Sequence, residues 1–365
     1  MPSSSRWCAR DDHGRNAPFK MPLSLDLGAE VVLPVTGRSR ARFGFSQYAA
    51  RRPGAEKSGT QPHPYAMDAA TSSLKASIPL KTMKCLVINL DRSQDRLAHM
   101  TGEFIRMGVA FERVAAIDAR DRPDLSRMPL RVKRLSPLRL TNAEIACLLS
   151  HRACWAIVAA RDDAYGAIFE DDAVFSAKAG ALLADAGWIP AAADIVKLET
   201  FFKKTTIARK RVSAGHGFSL SRLYRSHIGA AGYIISRQAA RDLIAATEDI
   251  GIPVDHVIFN PGLATSSGKT IYQLVPALCT QDQFLGDKAV GLPSLLNQER
   301  SDQWAASGMP KKRKKTGANR IKTEFNRLAA QIADFCRFRQ EKIIPFDYRG
   351  ERIRPPHTQR RENAL

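Results

Sequence analysis

The chain has few cysteines, and they form no recognisable cysteine motif. Its six cysteines among 365 residues show neither Cys-x-x-Cys nor a His-linked metal spacing. This pattern excludes a zinc ribbon or a thioredoxin-like redox centre. Cys147 and Cys154 recur two helical turns apart on an apolar pattern, so we interpret them as small core residues. Such cysteine usage fits a reducing cytoplasm, and a cytoplasmic location is expected.

Long apolar runs and phosphate-binding glycine loops are also missing. No uninterrupted apolar stretch approaches 18 residues, so no membrane-spanning helix is predicted. Neither Gly-x-Gly-x-x-Gly nor Gly-x-x-x-x-Gly-Lys-Ser/Thr occurs, and the Ser-Ser-Gly-Lys-Thr at 266–270 lacks the upstream glycine. A P-loop is therefore excluded.

Acidic residues are too few to balance the basic ones, and the net charge is +20. Residues 1–82 are rich in Pro, Ser, Ala and Arg and have little periodicity, which predicts a disordered extension dispensable for folding and catalysis. The alternative is a misassigned start in a gene whose product begins at Met83. A targeting peptide is disfavoured because Asp11 and Asp12 interrupt it and no apolar region follows.

The second basic region lies in the predicted C-terminal tail, 291–365. A basic run at 311–315 precedes apolar residues at helical spacing. These apolar residues are Ile321, Phe325, Leu328, Ile332 and Phe335. The combination predicts an amphipathic helix within 311–339 that lies on an anionic membrane surface, at the inner face of the membrane. A helix packed on the catalytic domain is the alternative. Nucleic acid is a disfavoured partner, because no aromatics are interleaved with the basic residues.

Between these regions, residues 83–290 predict one α/β domain of about 200 residues. An apolar strand at 85–90 breaks into a polar turn and a helix with apolar residues at helical spacing, and a second strand follows at 111–117. Strand, helix and strand at this spacing form a parallel βαβ unit. Ligands of parallel sheets bind beyond the carboxyl ends of the strands. The residues placed there are Asn89, Asp91, Arg92 and Arg96.

Three consecutive acids, Glu170, Asp171 and Asp172, follow a short apolar strand. A buried strand that ends in three carboxylates is unfavourable unless a cation or a hydroxyl-rich ligand shares the charge. Mg²⁺ and Mn²⁺ both prefer carboxylate oxygens. The triplet is therefore the first candidate for a metal site, and a solvated loop after the strand is the alternative.

Other polar positions have both structural and functional interpretations. Residues 141–144 match a capping box, which begins a helix carrying Ser150 and His151. Either of these two side chains can have a structural role. A further short strand ends in Lys197 and Glu199, which can pair with each other or contact a ligand.

Six colinear segments spanning about residues 84–285 resemble glycosyltransferase family 25, which includes lipooligosaccharide and collagen galactosyltransferases. The segments are 88–96, 140–151, 168–172, 194–199, 229–236 and 253–256. One departure is Asn142-Ala143, where the family often has a glycine before the Glu. The resemblance implies a GT-A-like nucleotide-sugar-binding domain with a mostly parallel sheet. It also implies transfer of a hexose, galactose, from a UDP-sugar to a saccharide acceptor such as lipooligosaccharide, with metal assistance and inversion.

The resemblance assigns roles to individual residues. Contacts to the nucleotide sugar are expected from Asn89, Asp91, Arg92, Arg96, Ser150, His151, Glu170, Asp171, Lys197 and Gly229. Glu170 and Asp172 are expected to hold Mn²⁺ or Mg²⁺. Asp255 is the first candidate for the base that takes the proton of the acceptor hydroxyl, with Glu199 next and a helix cap as the alternative.

Two other functions stay open at this stage. One is a catalytically silent, membrane-peripheral binding protein on the same fold, which would have no need to hold the acidic triplet together. The other is a nucleotidyltransferase, which would need a basic triphosphate-binding loop near 89–96.

Overall fold

The computed structural model describes most of the chain beyond residue 82. Described are residues 83–128, 139–248, 251–292, 294–307, 325, 328–329 and 331–353, with the backbone of 8–10, 16–18 and 29–32. All of them belong to one compact unit. The predictions for the rest of 1–82 and for 308–324 concern residues outside these ranges, and they stay predictions.

The described chain alternates strands with helices. The strands are β1 (Cys8–Arg10), β2 (Asn16–Pro18), β3 (Ala29–Val32), β4 (Lys84–Asn89), β5 (Phe111–Ala115), β6 (Tyr165–Glu170), β7 (Ala173–Phe175), β8 (Ile195–Lys197), β9 (Lys204–Ala208), β10 (Val212–Gly215), β11 (Phe218–Arg222), β12 (Gly232–Ser236), β13 (Ile271–Val275), β14 (Cys279–Gln281), β15 (Arg339–Ile343), β16 (Phe346–Tyr348) and β17 (Glu351–Ile353). The α-helices are α1 (Gln94–Met107), α2 (Asn142–Ala160), α3 (Ala179–Leu183), α4 (Arg237–Ala246), α5 (Val254–Phe259) and α6 (Leu295–Ala306).

Nine strands form one sheet in the order β10-β11-β13-β8-β12-β6-β4-β5-β3. β4 runs parallel to β5 and β6, and β13 runs parallel to β8. The other neighbouring pairs are antiparallel. Six of the nine strands therefore point in one direction, and β3, β11 and β12 are reversed. The prediction of an α/β fold with a mostly parallel sheet is confirmed.

The first βαβ unit, β4-α1-β5, forms because the apolar side chains of β4 point alternately into two hydrophobic clusters. Leu86 and Ile88 face one apolar cluster, and Cys85 and Val87 face the other. Since successive side chains of a strand point to opposite faces, β4 is covered on both sides. Helix α1 then ends at Gly108, whose left-handed backbone (φ 66°) lets its N–H cap the last turn. The carboxyl end of β4 lies at one edge of the sheet, where a turn joins it to α1.

Helix α2 packs against β4, β5 and β6 and begins with the predicted capping box. Thr141 Oγ1 accepts from the Glu144 amide at 3.1 Å, and Glu144 Oε2 accepts from the Thr141 amide at 2.8 Å. Within the described part of the chain, α2 alone has the length and apolarity of a membrane-crossing helix. Most of it, including Ile145 and Trp155, is buried in the protein core, as in any core helix. This match is therefore weak evidence for a membrane span.

Two segments outside the predicted domain limits of 83 and 290 join the domain. β3 pairs with β5, with Ala29 opposite Val114. Near the other end, β15 pairs with β9, and Phe346 is fully buried in the main apolar cluster. The predicted basic tail, 291–365, thus includes a segment that packs on the domain.

Candidate active site

The strand order brings the predicted polar residues to one edge of the sheet. β4 ends at Asn89, β6 ends at Glu170 and β8 ends at Lys197. These strands point the same way, so their carboxyl ends meet where α/β sheets bind ligands. β12 runs between β6 and β8 in the opposite direction, and Gly232 at its start lies opposite Phe169. The loop before β12 therefore reaches the same edge.

Asp171 is held by two residues from the first βαβ unit. Asn89 Nδ2 donates to Asp171 Oδ2 at 2.8 Å, and Arg96 Nη1 donates to Oδ1 at 2.8 Å. All three side chains are buried. Burial raises the pKa of Asp171, although Arg96 and Asn89 both act to lower it. Because both of its oxygens accept hydrogen bonds from the protein, Asp171 fixes the acidic loop to β4 and α1.

Asp172 has a different environment. It is 6% exposed, and its Oδ1 has no hydrogen-bond partner among the described residues. Burial is the largest cause that raises the pKa of Asp172 well above its usual range, and the Glu170 carboxylate raises it further. A buried carboxyl oxygen without a donor, beside a second carboxylate, is stabilised by a cation.

A chain of aromatic residues and a histidine orients Glu170. His151 Nε2 lies 3.2 Å from Glu170 Oε1, and His151 Nδ1 lies 2.9 Å from Tyr233 Oη. Trp155 Nε1 donates to the same Tyr233 oxygen at 2.8 Å. Because an indole can only donate, the Tyr233 hydroxyl can give its own proton to Nδ1. His151 then donates from Nε2 to Glu170. The other Glu170 oxygen accepts from Gln281 at 3.3 Å.

Lys197 and Glu199 form a fully buried ion pair close to Glu170. Lys197 Nζ lies 3.1 Å from Glu199 Oε2 and also donates to the Gly229 carbonyl. The same Glu199 oxygen accepts from the Ala231 amide at 3.1 Å, whereas Oε1 has no partner in the described part of the structure. Burial raises the pKa of Glu199, and Lys197 acts against that rise.

Gly229 must be a glycine at this point. Its φ of 95° is in the left-handed region, and an added Cβ would lie 2.7 Å from Glu199 Oε2. The Gly229 amide donates to Asp255 Oδ2 at 3.1 Å, and the His256 amide donates to Asp255 Oδ1 at 2.7 Å. Asp255, in the first turn of α5, is half-buried. These contacts join Asp255 to the Lys197–Glu199 pair.

Replacement of Lys197 by Met is expected to destabilise the fold by about 3–5 kcal/mol, because it leaves the buried Glu199 charge unpaired. The double variant Lys197→Met/Glu199→Gln is expected to recover most of that loss. Lys204→Met is the control: Lys204 is more than half exposed and pairs with Glu341 at 3.6 Å, so a change under about 1 kcal/mol is expected. Urea unfolding measures all three variants. Equal losses in the single variant and the control would contradict the buried ion pair.

Three predicted residues are engaged elsewhere. Asp91 is largely exposed and pairs with Arg113. Arg92 pairs with Asp118. Ser150 Oγ donates to the Ala146 carbonyl at 2.8 Å and accepts from the Ile117 amide at 2.9 Å. Their roles in nucleotide-sugar binding stay predictions. The structure brings together the other predicted residues, Asn89, Arg96, His151, Glu170, Asp171, Asp172, Lys197, Glu199, Gly229 and Asp255.

A buried histidine that carries no signal in the sequence supports this edge. His227 Nδ1 lies 2.8 Å from Gln273 Oε1. Gln273 Nε2 donates to the carbonyls of Lys197 and Glu199, so its oxygen is left to accept from His227. Burial, and then the Lys197 charge, lower the pKa of His227 to about 3. The imidazole is therefore neutral. Through Gln273 it is linked to the backbone carbonyls of the Lys197–Glu199 pair.

Acid is expected to destabilise the protein through His227. Its pKa is lower in the folded than in the unfolded chain, so the unfolded chain takes up the proton as the pH falls below about 6.5. Between pH 7.5 and 5.5 this difference should remove about 1.4 kcal/mol from the free energy of unfolding. His227→Asn can keep the bond to Gln273 and should lack this contribution. Urea unfolding of both proteins at the two pH values tests it, and equal pH dependence would contradict the assignment.

Two further side chains lie at the site: Cys147, which the sequence pattern indicated only as a small core residue, and Gln281, which carries no signal in the sequence. Burial raises the pKa of the Cys147 thiol well above its usual range, and nearby carboxylates, with Glu170 the largest contributor, raise it further. Cys147 lies one helical turn before His151 on α2. An α/β sheet with buried carboxylates, an ion pair and an oriented histidine at its carboxyl edge is the arrangement of a ligand-binding enzyme site.

Comparison with known proteins identifies the class of enzyme. Residues 82–258 match the family model described as glycosyltransferase family 25 (LPS biosynthesis protein). The lacto-N-neotetraose biosynthesis glycosyltransferase LgtB of Neisseria meningitidis serogroup B is 30% identical over 276 residues, which cover 71% of this chain and 98% of that protein. The lipooligosaccharide biosynthesis protein lic2B of Haemophilus influenzae is 28% identical, with the same coverage of both chains. The chain therefore belongs to glycosyltransferase family 25, and it is a glycosyltransferase.

The inositol-1-phosphate CTP transferase from T. maritima is among the solved structures that match. It shares 14% identity at a TM-score of 0.30, covering 64% of this chain and 100% of that chain. That score is too low to bear on fold or function.

Proposed function

We propose that this glycosyltransferase moves a hexose, galactose, from a UDP-sugar to a lipooligosaccharide or related saccharide acceptor. In this proposal the domain is GT-A-like, a divalent cation assists, and the anomeric configuration is inverted. Support for the acceptor class comes from relatives named for lipooligosaccharide and lacto-N-neotetraose biosynthesis. The single observation that carries the proposal is the convergence of Glu170, Asp172 and Glu199 at the carboxyl edge of the sheet.

The donor set at this edge fits Mn²⁺ or Mg²⁺. Asp172 Oδ1 is a buried carboxyl oxygen with no donor within the described ranges, and Glu170 is the carboxylate that acts on it most strongly. Hard divalent cations take such oxygens as ligands. Glu170 and Asp172 would hold the ion, which when bound would offset the negative charge of the departing diphosphate.

The remaining residues position the reactants in this proposal. Asp171, held by Asn89 and Arg96, fixes the acidic loop against the first βαβ unit. We assign the nucleotide half of the donor to this side, because Arg96 provides a buried positive charge. Arg and backbone donors are common partners of phosphate oxygens.

Asp255 is the proposed base. It is partly exposed, whereas Glu199 is fully buried and paired with Lys197. A base must reach the acceptor hydroxyl, so exposure favours Asp255 over Glu199. The amides of Gly229 and His256 each donate to one Asp255 oxygen and keep the carboxylate oriented.

A donor screen tests the proposal directly. UDP release should be measured with UDP-galactose, UDP-glucose and their N-acetyl derivatives, with a lipooligosaccharide acceptor, in Mn²⁺ or after exhaustive chelation. We expect release from UDP-galactose, dependent on metal, and a product of inverted configuration by NMR. Absence of release from every UDP-hexose would contradict the function, and undiminished turnover after chelation would contradict the metal.

We also propose that the enzyme works at the inner face of a membrane, held there by the predicted helix within 311–339. The apolar residues Phe325, Leu328, Ile332 and Phe335 are each more than half exposed. A basic run at 311–315 precedes them in the sequence. Exposed apolar residues with adjacent positive charge bind anionic lipid through both burial and charge.

Liposome sedimentation tests this location. The wild-type protein is expected to pellet with anionic vesicles and less with neutral ones, and less as salt is raised, because charge is screened over about 8 Å at physiological ionic strength. Phe325→Asp should weaken pelleting at least several-fold. Ile105→Asp is the matched control, since Ile105 is a half-exposed apolar residue of α1. Equal pelleting of Phe325→Asp and the wild type would contradict the proposal.

A further inference from the structure

Helix α2 brings a thiol and an imidazole together at the acidic edge. Cys147 and His151 are four residues apart on α2, so they lie one above the other on the same face of the helix. Glu170 at the end of β6 faces them. The Cys147 Sγ, a ring nitrogen of His151 and a carboxylate oxygen of Glu170 all lie within 4.8 Å of one another. Two ligands at this spacing on one helix, with a third from another element, form a recurrent zinc-binding arrangement.

The His151 ring is oriented by a contact to its second nitrogen, as the ring of a metal-binding histidine usually is. Its Nδ1 contacts Tyr233 Oη at 2.9 Å, and its Nε2 faces Glu170. Metal-binding histidines usually have their second nitrogen fixed by such an outer contact, which sets the ring orientation. The Tyr233 hydroxyl can donate to an unprotonated Nδ1, or its oxygen can accept from Nδ1–H in the other tautomer of His151. In the accepting case the Nε2 lone pair is free for a cation.

The surroundings of Cys147 favour a cation over a bare thiolate. Four carboxylates act on the thiol, from Glu144, Glu170, Asp172 and Asp255. As whole residues, Cys147 and Glu170 are each partly exposed. A bound cation would share the negative charge that accumulates here.

We infer that Cys147, His151 and Glu170 form a site for a borderline-soft divalent cation of the Zn²⁺ class, beside the proposed Mn²⁺ position. A sulfur, a nitrogen and an oxygen ligand suit Zn²⁺ better than Mg²⁺ or Mn²⁺. Three protein ligands leave a fourth position open for water or another ligand. Since both sites use Glu170, Zn²⁺ would compete with Mn²⁺ and inhibit transfer, a consequence that rests on the proposed function.

Cobalt(II) added to the full chain is the direct probe, because a thiolate ligand gives it a charge-transfer absorption in the near ultraviolet. We expect one such Co²⁺ per chain in the wild type, displaced by Zn²⁺ and lost in Cys147→Ser. Cys336→Ser is the matched control, since Cys336 is exposed and remote in sequence from α2. Asp172→Asn should keep the band. Absence of the band in the wild type, or its persistence in Cys147→Ser, would overturn the inference.

Alkylation of the wild-type protein gives an independent measurement that needs no variant to fold. Zn²⁺ is expected to slow modification of Cys147 at least 10-fold by mass spectrometry and to leave Cys336 unchanged. An unchanged rate at Cys147 would also overturn the inference. Neither readout uses a sugar donor. Thiolate-bound cobalt without UDP release from any UDP-hexose would therefore reject the proposed function alone, and UDP release without thiolate-bound cobalt would reject the zinc-class site alone.

Discussion

Asp172→Asn is expected to lower turnover by about three orders of magnitude. The variant loses the charge of a proposed metal ligand, and metal stabilisation of a departing diphosphate is worth several kcal/mol. The backbone and the Asp171 bonds to Asn89 and Arg96 should remain, because they do not involve the Asp172 side chain. Initial rates of UDP release, at saturating donor with Mn²⁺, measure the effect.

The fold should tolerate the same substitution. The pKa of Asp172 is raised in the folded protein, so in metal-free protein its ionisation removes stability as the pH rises above the ordinary carboxyl range. At pH 7 the chelated Asp172→Asn protein should therefore unfold at the wild-type temperature or above it. Asp124→Asn is the control, because Asp124 is an exposed acid that pairs with Arg122 at 2.7 Å and is not among the predicted site residues, and its turnover should stay near wild type. Turnover of Asp172→Asn close to that of Asp124→Asn would contradict the metal-ligand role.

Asp255→Asn is expected to lower kcat by about 100- to 10,000-fold, the range that a general base contributes. The donor should still bind, because Arg96, the proposed partner of the nucleotide half, bonds to Asp171, whereas Asp255 bonds to the Gly229 and His256 amides. Steady-state kinetics, with kcat and the donor KM of the variant compared with those of the wild type, measures both.

The comparison variant is Glu199→Gln. Glu199 is fully buried and paired with Lys197, so its substitution should lower stability as well as turnover. Asp255→Asn should instead separate kcat from donor affinity. If Asp255→Asn loses affinity for UDP to the same extent as it loses turnover, Asp255 contributes to the fold or to donor binding, and another group is the base.

Local patterns in the sequence were enough to predict much of the fold. The apolar spacing of 85–107 predicts β4 and α1, and Thr141 with Glu144 predicts the capping box, because these signals lie within a few residues of each other. The acidic triplet is visible for the same reason. Each is a short-range pattern whose physical cause is local.

Long-range contacts could not be predicted in this way. Tyr233 lies 82 residues from His151 along the chain, and the bond between them depends on β12 lying beside β6. The pairing of β15 with β9 joins residues about 130 positions apart. Neither contact leaves a periodic signal, since each depends on the strand order of the whole domain.

The choice of site residues from sequence had the same limit. Residues 89–96 begin at the last residue of β4 and continue into α1. Asn89 and Arg96 contact Asp171, whereas Asp91 and Arg92 pair with Arg113 and Asp118. Sequence spacing does not say which side chains of a turn face the sheet edge. Cys147 and His151 are four residues apart, but only the position of Glu170 on β6 makes that spacing a possible ligand set.

Calorimetric titration of UDP into the wild-type and Asp172→Asn proteins, with Mn²⁺ and after chelation, tests the central claim most directly. The claim is that the buried acids at the sheet edge bind the donor diphosphate through a divalent cation. We predict that Mn²⁺ tightens UDP binding to the wild-type protein at least about 100-fold, a coupling of about 2.7 kcal/mol, and has little effect on Asp172→Asn. Equal UDP affinity of the wild type with and without metal, or an equal response to Mn²⁺ in the variant, would contradict the claim.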